Sequence, residues 1–309
     1  MLLVRVAESA REERSGFIGL PRWDVEAGRV VIDWLRDDEI TWIDARVVKI
    51  NRTGLLRLTF TSYLRVVRCG DGRAVETVDD TLFRPLALTE EFGVEDPRIT
   101  PIEDRFYITY VAVSRHGAAT ALASTRDFRT FERHGIIFCP ENKDVVLFPE
   151  RIGGRYFALH RPTTAHDFSR PEMWIASSPD LLDWGAHAPF LGATGEWDVG
   201  RVGGGTPPIR TERGWLTIYH GNDRQEGDPD IGTYTGGLLL LDADNPGRIL
   251  RQRGRILIPQ MDYEQTGFVP GVVFPTGVVQ RGETLLCYYG AGDAATAVVE
   301  LRMSDLLEG

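Results

Sequence analysis

A pattern that returns five times along the chain restricts the fold more than any other feature of the sequence. Each copy has a polar start, a short apolar segment, a turn rich in Gly, Asp or Arg, and an aromatic-rich segment. The spacing of about 52 to 69 residues between copies is on the scale of one β-propeller blade. Short aromatic and β-branched segments bounded by Gly, Pro and Asp are typical of strands. The apolar segments align at Val47, Ile99, Ile152, Ile209 and Val278.

The repeat predicts an all-β chain folded as a five-bladed β-propeller, in which radial repetition leaves only short sheet edges. A β-sandwich with coincidental similarity between its strand pairs is the alternative. We expect residues 1–309 to form a single domain, because no linker rich in Gly, Ser or Pro separates two halves. Residues 1–40 are mixed and charged. The sequence leaves open whether this segment closes the propeller or makes a subunit contact in a homo-oligomer.

The charge balance argues against anionic partners. The 309 residues include 35 Lys and Arg against 45 Asp and Glu, a net charge of −10. An acidic chain without a basic run matches neither nucleic acid nor an anionic membrane surface. The sequence shows no apolar run typical of a signal peptide or of a membrane span. Its three widely spaced cysteines fit reduced thiols, so we expect a cytoplasmic protein.

Equivalent positions of successive propeller blades surround one axis, so polar residues at strand starts and strand ends are expected to converge. Asp96 is the leading candidate for a positioned carboxyl group, because Pro97 restricts the backbone beside it. A turn-capping role is the alternative for Asp96. The other candidates at such positions are Asp44, Arg46, Arg65, Arg98, Arg115, His160, Arg161, Arg201, His220 and Asp293.

A polar funnel that also contains aromatic residues suits a carbohydrate. Trp42, Tyr234 and Tyr289 are candidates for stacking on sugar rings, and core packing between blades is the alternative for each. Gly203–Gly205 lacks the Gly-Lys-Ser/Thr ending of a nucleotide-binding loop and leads into a strand. The spacing of His and Cys predicts no metal site, and no Gly-x-Ser-x-Gly motif indicates a serine hydrolase.

Six motifs between about residues 90 and 295 are together highly specific. They are Glu95–Ile99, Lys143–Glu150, His160–Pro162, Gly203–Ile209, Gly214–Leu216 with Tyr219–Gly221, and Tyr288–Asp293. With these motifs the chain resembles glycoside hydrolase family 130, the inverting β-mannoside phosphorylases and related mannosidases. The resemblance implies a five-bladed propeller, in agreement with the repeat.

The resemblance also implies roles for the matched residues. Asp96 stands where the family has its general acid, whose proton is thought to pass through a hydroxyl of the bound mannose. Asp293 stands at a position that contacts the mannose that is transferred. Positions that bind phosphate are occupied by Lys143, Arg161, Arg201 and His220. Inorganic phosphate is thus the expected co-substrate, and no cofactor is expected.

Phosphate is already an anionic nucleophile, so a cradle of cations can replace the second carboxylate with which an inverting hydrolase activates water. Inversion at a β-mannoside would then give α-mannose 1-phosphate. Asp44, Arg46, Arg98, His160 and Tyr234 are predicted to contact the sugar, and structural ion pairing is the alternative for Arg98.

Three departures from the family pattern leave details open. Asp144 stands where some phosphorylases have Asn, and it would repel phosphate unless it is turned away or paired. Arg201 stands where lysine is common, and the first repeat, from Ile43 to Arg68, matches weakly. We therefore expect phosphorolysis of β-1,2- or β-1,4-linked mannosides, including mannosyl-glucose and mannosyl-GlcNAc. A β-mannosidase that uses water and a non-catalytic sugar-binding propeller are the alternatives.

Overall fold

Strands dominate the computed structural model, which describes residues 1–163, 171–225, 228 and 230–308, and the predicted all-β class is confirmed. The first eight strands are β1 (Leu2–Ser9), β2 (Phe17–Asp24), β3 (Arg29–Arg36), β4 (Ile40–Asp44), β5 (Val47–Ile50), β6 (Leu56–Leu58), β7 (Phe60–Arg68) and β8 (Thr77–Phe83). Sheet I has the order β1-β7-β8. A separate hairpin joins β2 to β3, and a small sheet has the order β4-β5-β6.

The next eight strands form two four-stranded antiparallel sheets. They are β9 (Gly93–Ile102), β10 (Arg105–Ser114), β11 (Gly117–Thr125), β12 (Glu132–Phe138), β13 (Asn142–Leu147), β14 (Tyr156–Pro162), β15 (Met173–Ser178) and β16 (Gly185–Leu191). Sheet II has the order β12-β11-β10-β9, and sheet III has the order β13-β14-β15-β16.

The last eight strands form two further sheets. They are β17 (Arg201–Gly204), β18 (Ile209–Thr211), β19 (Gly214–Asn222), β20 (Tyr234–Leu241), β21 (Ile249–Leu257), β22 (Val273–Arg281), β23 (Thr284–Ala291) and β24 (Ala295–Arg302). Sheet IV has the order β17-β19-β20-β21 with β18 also paired to β19, and sheet V has the order β22-β23-β24.

The helices are short. They are α1 (Asp262–Gln265) and α2 (Met303–Glu308), with single 3-10 turns at Asp37–Glu39 and Leu88–Glu90. Within the described ranges, no helix has the length and apolar character needed to cross a membrane.

Each of the sheets I to IV packs against the next one through a shared apolar core. Between sheets III and IV, the rings of Phe148 and Trp215 meet edge to face with their centroids 5.4 Å apart. Full burial of one such side chain stabilises the fold by about 1.5–3 kcal/mol. The other three cores contain the pairs Leu64 with Ile108 (I and II), Leu122 with Leu147 (II and III), and Ile218 with Leu285 (IV and V).

Sheet V in turn contacts sheet I, so the first and last sheets of the chain meet. The Tyr288 hydroxyl donates a buried hydrogen bond of 2.6 Å to the carbonyl oxygen of Gly72, which follows β7. On the surface nearby, Arg73 forms an ion pair with Glu300 of β24. The five sheets therefore follow one another in a closed order of contacts.

The first repeat, from Ile43 to Arg68, is divided between two sheets, so the sequence predicts it only in part. Residues Ile43–Leu58 belong to the small sheet, whose Leu55 and Leu56 side chains are exposed. Sheet I instead uses β7, whose Leu64 and Val66 are fully buried. Between β1 and its partner β7, the sequence contains the strands of the β2-β3 hairpin and of the β4-β5-β6 sheet. Local periodicity therefore does not reveal this pairing.

The later repeats agree better with the structure. Asp96–Ile99 lies inside β9, and Phe274–Val278 lies inside β22. The predicted third segment, Phe148–Ile152, instead follows β13, which ends before Pro149, a residue that cannot donate to a sheet. The outer strands β12, β16 and β21 were not predicted, because their residues, mostly exposed or half-buried, lack an apolar pattern.

Candidate active site

A cavity of about 1150 Å³ is lined by residues from all five sheets, as expected if their inner strands surround one axis. Its polar lining includes Arg5 (sheet I), Glu95 and Asp96 (II), Lys143, Asp144 and Arg161 (III), Arg201 and Tyr234 (IV), Tyr289 and Asp293 (V), and Arg46 from the turn after β4. A cavity of this size exceeds the usual volume of a small-molecule site. It therefore has room for an oligosaccharide together with a small anion.

Asp96 is held in the cavity wall by an irregular stretch of β9. Its φ of +49° lies in the left-handed region, which Asp tolerates better than most residues. The pairing of β9 with β10 shifts register opposite this point, between Thr109 and Val111. Arg98 donates a hydrogen bond of 2.8 Å to the carbonyl oxygen of Asp96. The bulge and this bond together aim the carboxyl group into the cavity.

Two further carboxyl groups lie beside Asp96. Glu95 is buried, and burial raises its pKa although Arg5 and Lys143 oppose the shift. Burial also raises the pKa of Asp293, against the influence of Arg5 and with support from the charge of Asp96. This side of the cavity thus holds three acidic groups, and burial favours the protonated form of two of them, Glu95 and Asp293.

Arg5 is the cation that contacts this acidic group. It hydrogen-bonds to Asp293 and lies 3.8 Å from Asp96 Oδ1 and 4.0 Å from Glu95 Oε1. Burial by itself would lower the pKa of Arg5, but these carboxylates raise it above its ordinary value. Arg5 is therefore charged at any pH at which the protein is folded.

Asp144 anchors the basic side of the cavity. Like Asp96 it has a left-handed φ, +57°, next to a register shift in its strand pairing. Arg161 contacts its Oδ2 at 2.7 Å and 2.8 Å, Arg98 contacts its Oδ1 at 3.3 Å, and His220 Nε2 lies 3.3 Å from Oδ2. Burial favours the protonated acid, but these neighbours hold the pKa of Asp144 well below its usual value. The predicted repulsion of an anion by Asp144 is thus relieved by pairing.

Arg201 lies among like charges. The Tyr234 phenol by itself raises the pKa of Arg201. Burial and the guanidinium groups of Arg161 and Arg46 outweigh this effect, so the pKa of Arg201 is lowered. Its buried Nε has no hydrogen-bond partner within the described ranges. Clustered cations with an unsatisfied donor favour an anion at this position.

The predicted site residues divide into two groups. Asp96, Lys143, Arg161, Arg201, Asp293, Arg46 and Tyr234 line the cavity. Asp44, Arg98, His160 and His220 are absent from the lining, so their predicted contacts with sugar or phosphate stay predictions. Asp44 instead pairs with Arg46 at 3.0 Å.

The three other residues lie behind the cavity wall. Arg98 is 1% exposed and donates to the carbonyl oxygens of Gly204 and Gly205. His160 lies 3.0 Å from Asn142 Nδ2 and 3.1 Å from His187 Nδ1, and burial lowers its pKa to about 3. Burial likewise lowers the pKa of His220, which makes it a neutral partner of Asp144.

Sequence reasoning missed two residues of the cavity, Arg5 and Glu95. Arg5 lies between Val4 and Val6 of an apolar segment, and an arginine at such a place is the signal that could have indicated it. Glu95 stands within a recognised motif but carried no predicted role. In the part of the chain that the structure describes, no group of three or more His, Cys, Asp or Glu side chains is arranged to hold a metal.

Comparison with known proteins places these features in a family. A family model described as β-1,4-mannooligosaccharide phosphorylase matches residues 45–308. The chain is 40% identical to a β-1,2-mannobiose phosphorylase of Listeria innocua, over 99% of this chain and 86% of that protein. It is 37% identical to a 1,2-β-oligomannan phosphorylase of a Thermoanaerobacter species, over 69% of this chain and 70% of that protein.

A solved structure of a Listeria innocua β-1,2-mannobiose phosphorylase, in complex with β-1,2-mannobiose, has the same fold. It superposes with a TM-score of 0.91 at 40% identity, covering 99% of this chain and 86% of that one.

Proposed function

Since this chain belongs to glycoside hydrolase family 130, in which relatives cleave β-mannosides with phosphate, we propose that it is an inverting phosphorylase of β-1,2-linked mannosides. The linkage follows the relative that matches nearly the whole chain. The observation that carries the proposal is that one cavity holds an acid, Asp96, together with the cations Lys143, Arg161 and Arg201.

In the proposed architecture, sheets I to V are the five blades of one propeller domain. Support comes from the closed order of sheet contacts and from the cavity to which all five sheets contribute. The amino-terminal strand β1 belongs to the first blade, and its contact with Asp293 helps to join that blade to the last one.

In the proposed reaction, Asp96 is the general acid. It gives its proton to the departing glycosidic oxygen, directly or through a hydroxyl of the bound mannose, as the bond from that oxygen to the anomeric carbon breaks. A phosphate oxygen forms the new bond to the anomeric carbon from the opposite face. Inversion of a β-mannoside gives α-mannose 1-phosphate and a sugar shortened by one mannose.

The cations position phosphate and stabilise its charge. Arg161 and Arg201 offer planar donor pairs suited to phosphate oxygens, and Lys143 adds a point charge. Asp144 holds Arg161 in place through two contacts. His220 supports the same carboxylate from behind the wall.

The pairing of Asp144 also favours phosphate over water as the nucleophile. An inverting hydrolase needs a second carboxylate as a base on the face opposite the acid. Asp144 is the carboxylate on the basic side of the cavity, and Arg161, His220 and Arg98 depress its pKa. A carboxylate so strongly stabilised as its anion is a weak base.

The test is incubation with β-1,2-mannobiose, with and without inorganic phosphate, with products followed by NMR. We expect mannose and α-mannose 1-phosphate only when phosphate is present, and slower or no reaction with β-1,4-mannobiose. Asp96→Asn should lower turnover roughly 10²–10⁴-fold without loss of folding. Asp104→Asn, an exposed aspartate paired with Arg126, is the matched control and should be fully active.

Release of mannose at equal rates without phosphate would contradict the phosphorylase assignment. Preference for β-1,4-mannobiose would contradict the linkage alone, and an active Asp96→Asn variant would place the acid elsewhere.

A further inference from the structure

Arg5 reaches the cavity from a part of the chain that the family model does not cover. The family model matches residues 45–308, whereas Arg5 lies in β1, at Leu2–Ser9. β1 pairs along its full length with β7, and Arg5 stands opposite Leu64, which is fully buried. The Arg5 side chain is 20% exposed, and its guanidinium group also lies 5.7 Å from the Phe60 ring centre. The strand therefore holds this guanidinium group at a defined place.

The contacts of Arg5 with the three carboxyl groups differ. Its Nη2 hydrogen-bonds to Asp293, whereas its Nη1 lies 3.8 Å from Asp96 and 4.0 Å from Glu95. Distances near 4 Å provide charge stabilisation but are too long for hydrogen bonds. Within residues 1–163, 171–225, 228 and 230–308, Arg5 is the ion-pair partner of both Asp96 and Asp293.

The unequal contacts suit two different tasks. A carboxylate that accepts a hydrogen bond from arginine is fixed in direction, and the positive charge opposes its protonation. A carboxyl group that lies near the guanidinium group but accepts no hydrogen bond from it can still gain and lose a proton. Without the cation, three partly buried acids would repel one another, and some would become neutral.

We propose that Arg5 is a positioning residue for phosphorolysis, which fixes the Asp293 carboxylate as an acceptor for sugar hydroxyls and leaves Asp96 free to carry the reacting proton. This inference rests on the proposed function. It assigns the amino-terminal strand a part in the reaction beyond completing a sheet.

Other charged groups also act on these acids. Those that face Asp96 and Asp293 from the surrounding elements are Glu95, Lys143, Arg161 and Arg46. Arg5 differs from these cations because it touches both acids. Its removal is therefore expected to change their protonation more than the loss of a phosphate-side cation.

The test compares Arg5→Gln and Arg5→Lys with the unchanged protein in the cleavage of β-1,2-mannobiose. Arg5→Gln should lower kcat roughly 10²-fold, as expected for misplaced reacting groups. Loss of the positive charge favours the protonated acids. Both the acidic and the basic limb of the kcat–pH profile should therefore shift to higher pH by about one unit. Arg5→Lys keeps the charge, so the limbs of its pH profile should lie where those of the unchanged protein lie. Its kcat should lie between those of Arg5→Gln and the unchanged protein. KM for phosphate should stay the same in both variants.

Arg73→Gln is the matched control, because Arg73 also bridges sheets I and V but forms an exposed pair with Glu300. This variant should keep both the rate and the pH profile. An Arg5→Gln variant that loses rate equally at every pH, with its limbs unmoved, would overturn the proposal. A rise in KM for phosphate with unchanged kcat would overturn it as well.

A second measurement does not depend on the substrate. Repulsion among the three acids grows as they ionise, so Arg5→Gln should lower Tm more at pH 8 than at pH 5. An equal loss of Tm at both pH values would count against the role of Arg5 in their protonation. If the unchanged protein fails to cleave β-1,2-mannobiose, the proposed function fails, and this measurement still tests Arg5.

Discussion

At the scale of single residues, three aspartates of the cavity share an uncommon backbone conformation. Asp96, Asp144 and Asp293 have φ values of +49°, +57° and +49°. Such conformations cost of order 1–3 kcal/mol each and persist only where surrounding contacts hold them. Here the contacts are those with Arg98, Arg161 and Arg5, respectively. Arg98 holds the backbone carbonyl of Asp96, whereas Arg161 and Arg5 pair with the carboxylates of Asp144 and Asp293.

The two arginines proposed to bind phosphate, Arg161 and Arg201, should respond differently to truncation. Arg161→Ala leaves the buried Asp144 without its nearest cation and should lower the free energy of unfolding by about 3 kcal/mol. Arg201 has no ion pair within the described ranges, so Arg201→Ala should cost much less stability. Both variants should raise KM for phosphate. Denaturant unfolding and phosphate-dependent kinetics measure the two effects separately.

Arg210→Ala is a suitable control for this pair of variants. Arg210 is exposed and donates to the carbonyl oxygen of Ala243, away from the cavity. The control should leave KM for phosphate unchanged. Equal stability losses in Arg161→Ala and Arg201→Ala would argue against Asp144 as the reason for the difference.

At the scale of elements, each sheet is stabilised mainly by the core that it shares with its neighbour. Phe148 follows β13 and is fully buried against Trp215 of β19, so it belongs to the junction of sheets III and IV. Both sheets also carry arginines proposed to bind phosphate, Arg161 and Arg201. The spacing between those arginines therefore depends on this junction.

Phe148→Ala should lower the free energy of unfolding by about 3–5 kcal/mol, because it leaves a cavity between two sheets. Leu88→Ala is the control, since Leu88 is 73% exposed and its truncation removes little packing. Equilibrium unfolding in denaturant gives both values. A loss below 1 kcal/mol for Phe148→Ala would show that the two sheets do not depend on this contact.

At the scale of the whole molecule, contacts between the first and last sheets join distant parts of the chain. The Tyr288 hydroxyl and the Gly72 carbonyl form a buried bond across this junction. Nearby, Arg5 and Asp293 connect the same two sheets at the cavity. The junction thus contributes both to closure of the molecule and to the site.

Tyr288→Phe removes the hydroxyl donor and leaves the Gly72 oxygen without it, so we expect a loss of about 1–2 kcal/mol in the free energy of unfolding. Tyr63→Phe is the control, because the Tyr63 hydroxyl donates to Glu8 within sheet I. Calorimetry of both variants compares the two bonds. A loss below about 0.5 kcal/mol for Tyr288→Phe would mean that this bond adds no stability to the junction.

How far the sequence predicts this protein depends on how local each signal is. The strand segments around Asp96 and Val278 were predicted because alternating apolar residues and turn residues lie within a few positions of each other. Lys143, Arg161 and Arg201 were assigned through motifs and do line the cavity. The first repeat was predicted only in part: it includes β7, but the pairing of β7 with β1 spans a long intervening segment.

The sequence by itself determined the all-β class, the family and most of the polar residues of the cavity, since these depend on residue type and short-range spacing. Only the tertiary structure decided which charged side chains contact each other. It paired Asp144 with Arg161 and brought Arg5 to Asp96 and Asp293, residues far apart in sequence. It also left the buried Arg98, His160 and His220 out of the cavity lining. Such contacts arise from the packing of whole sheets, which no local pattern encodes.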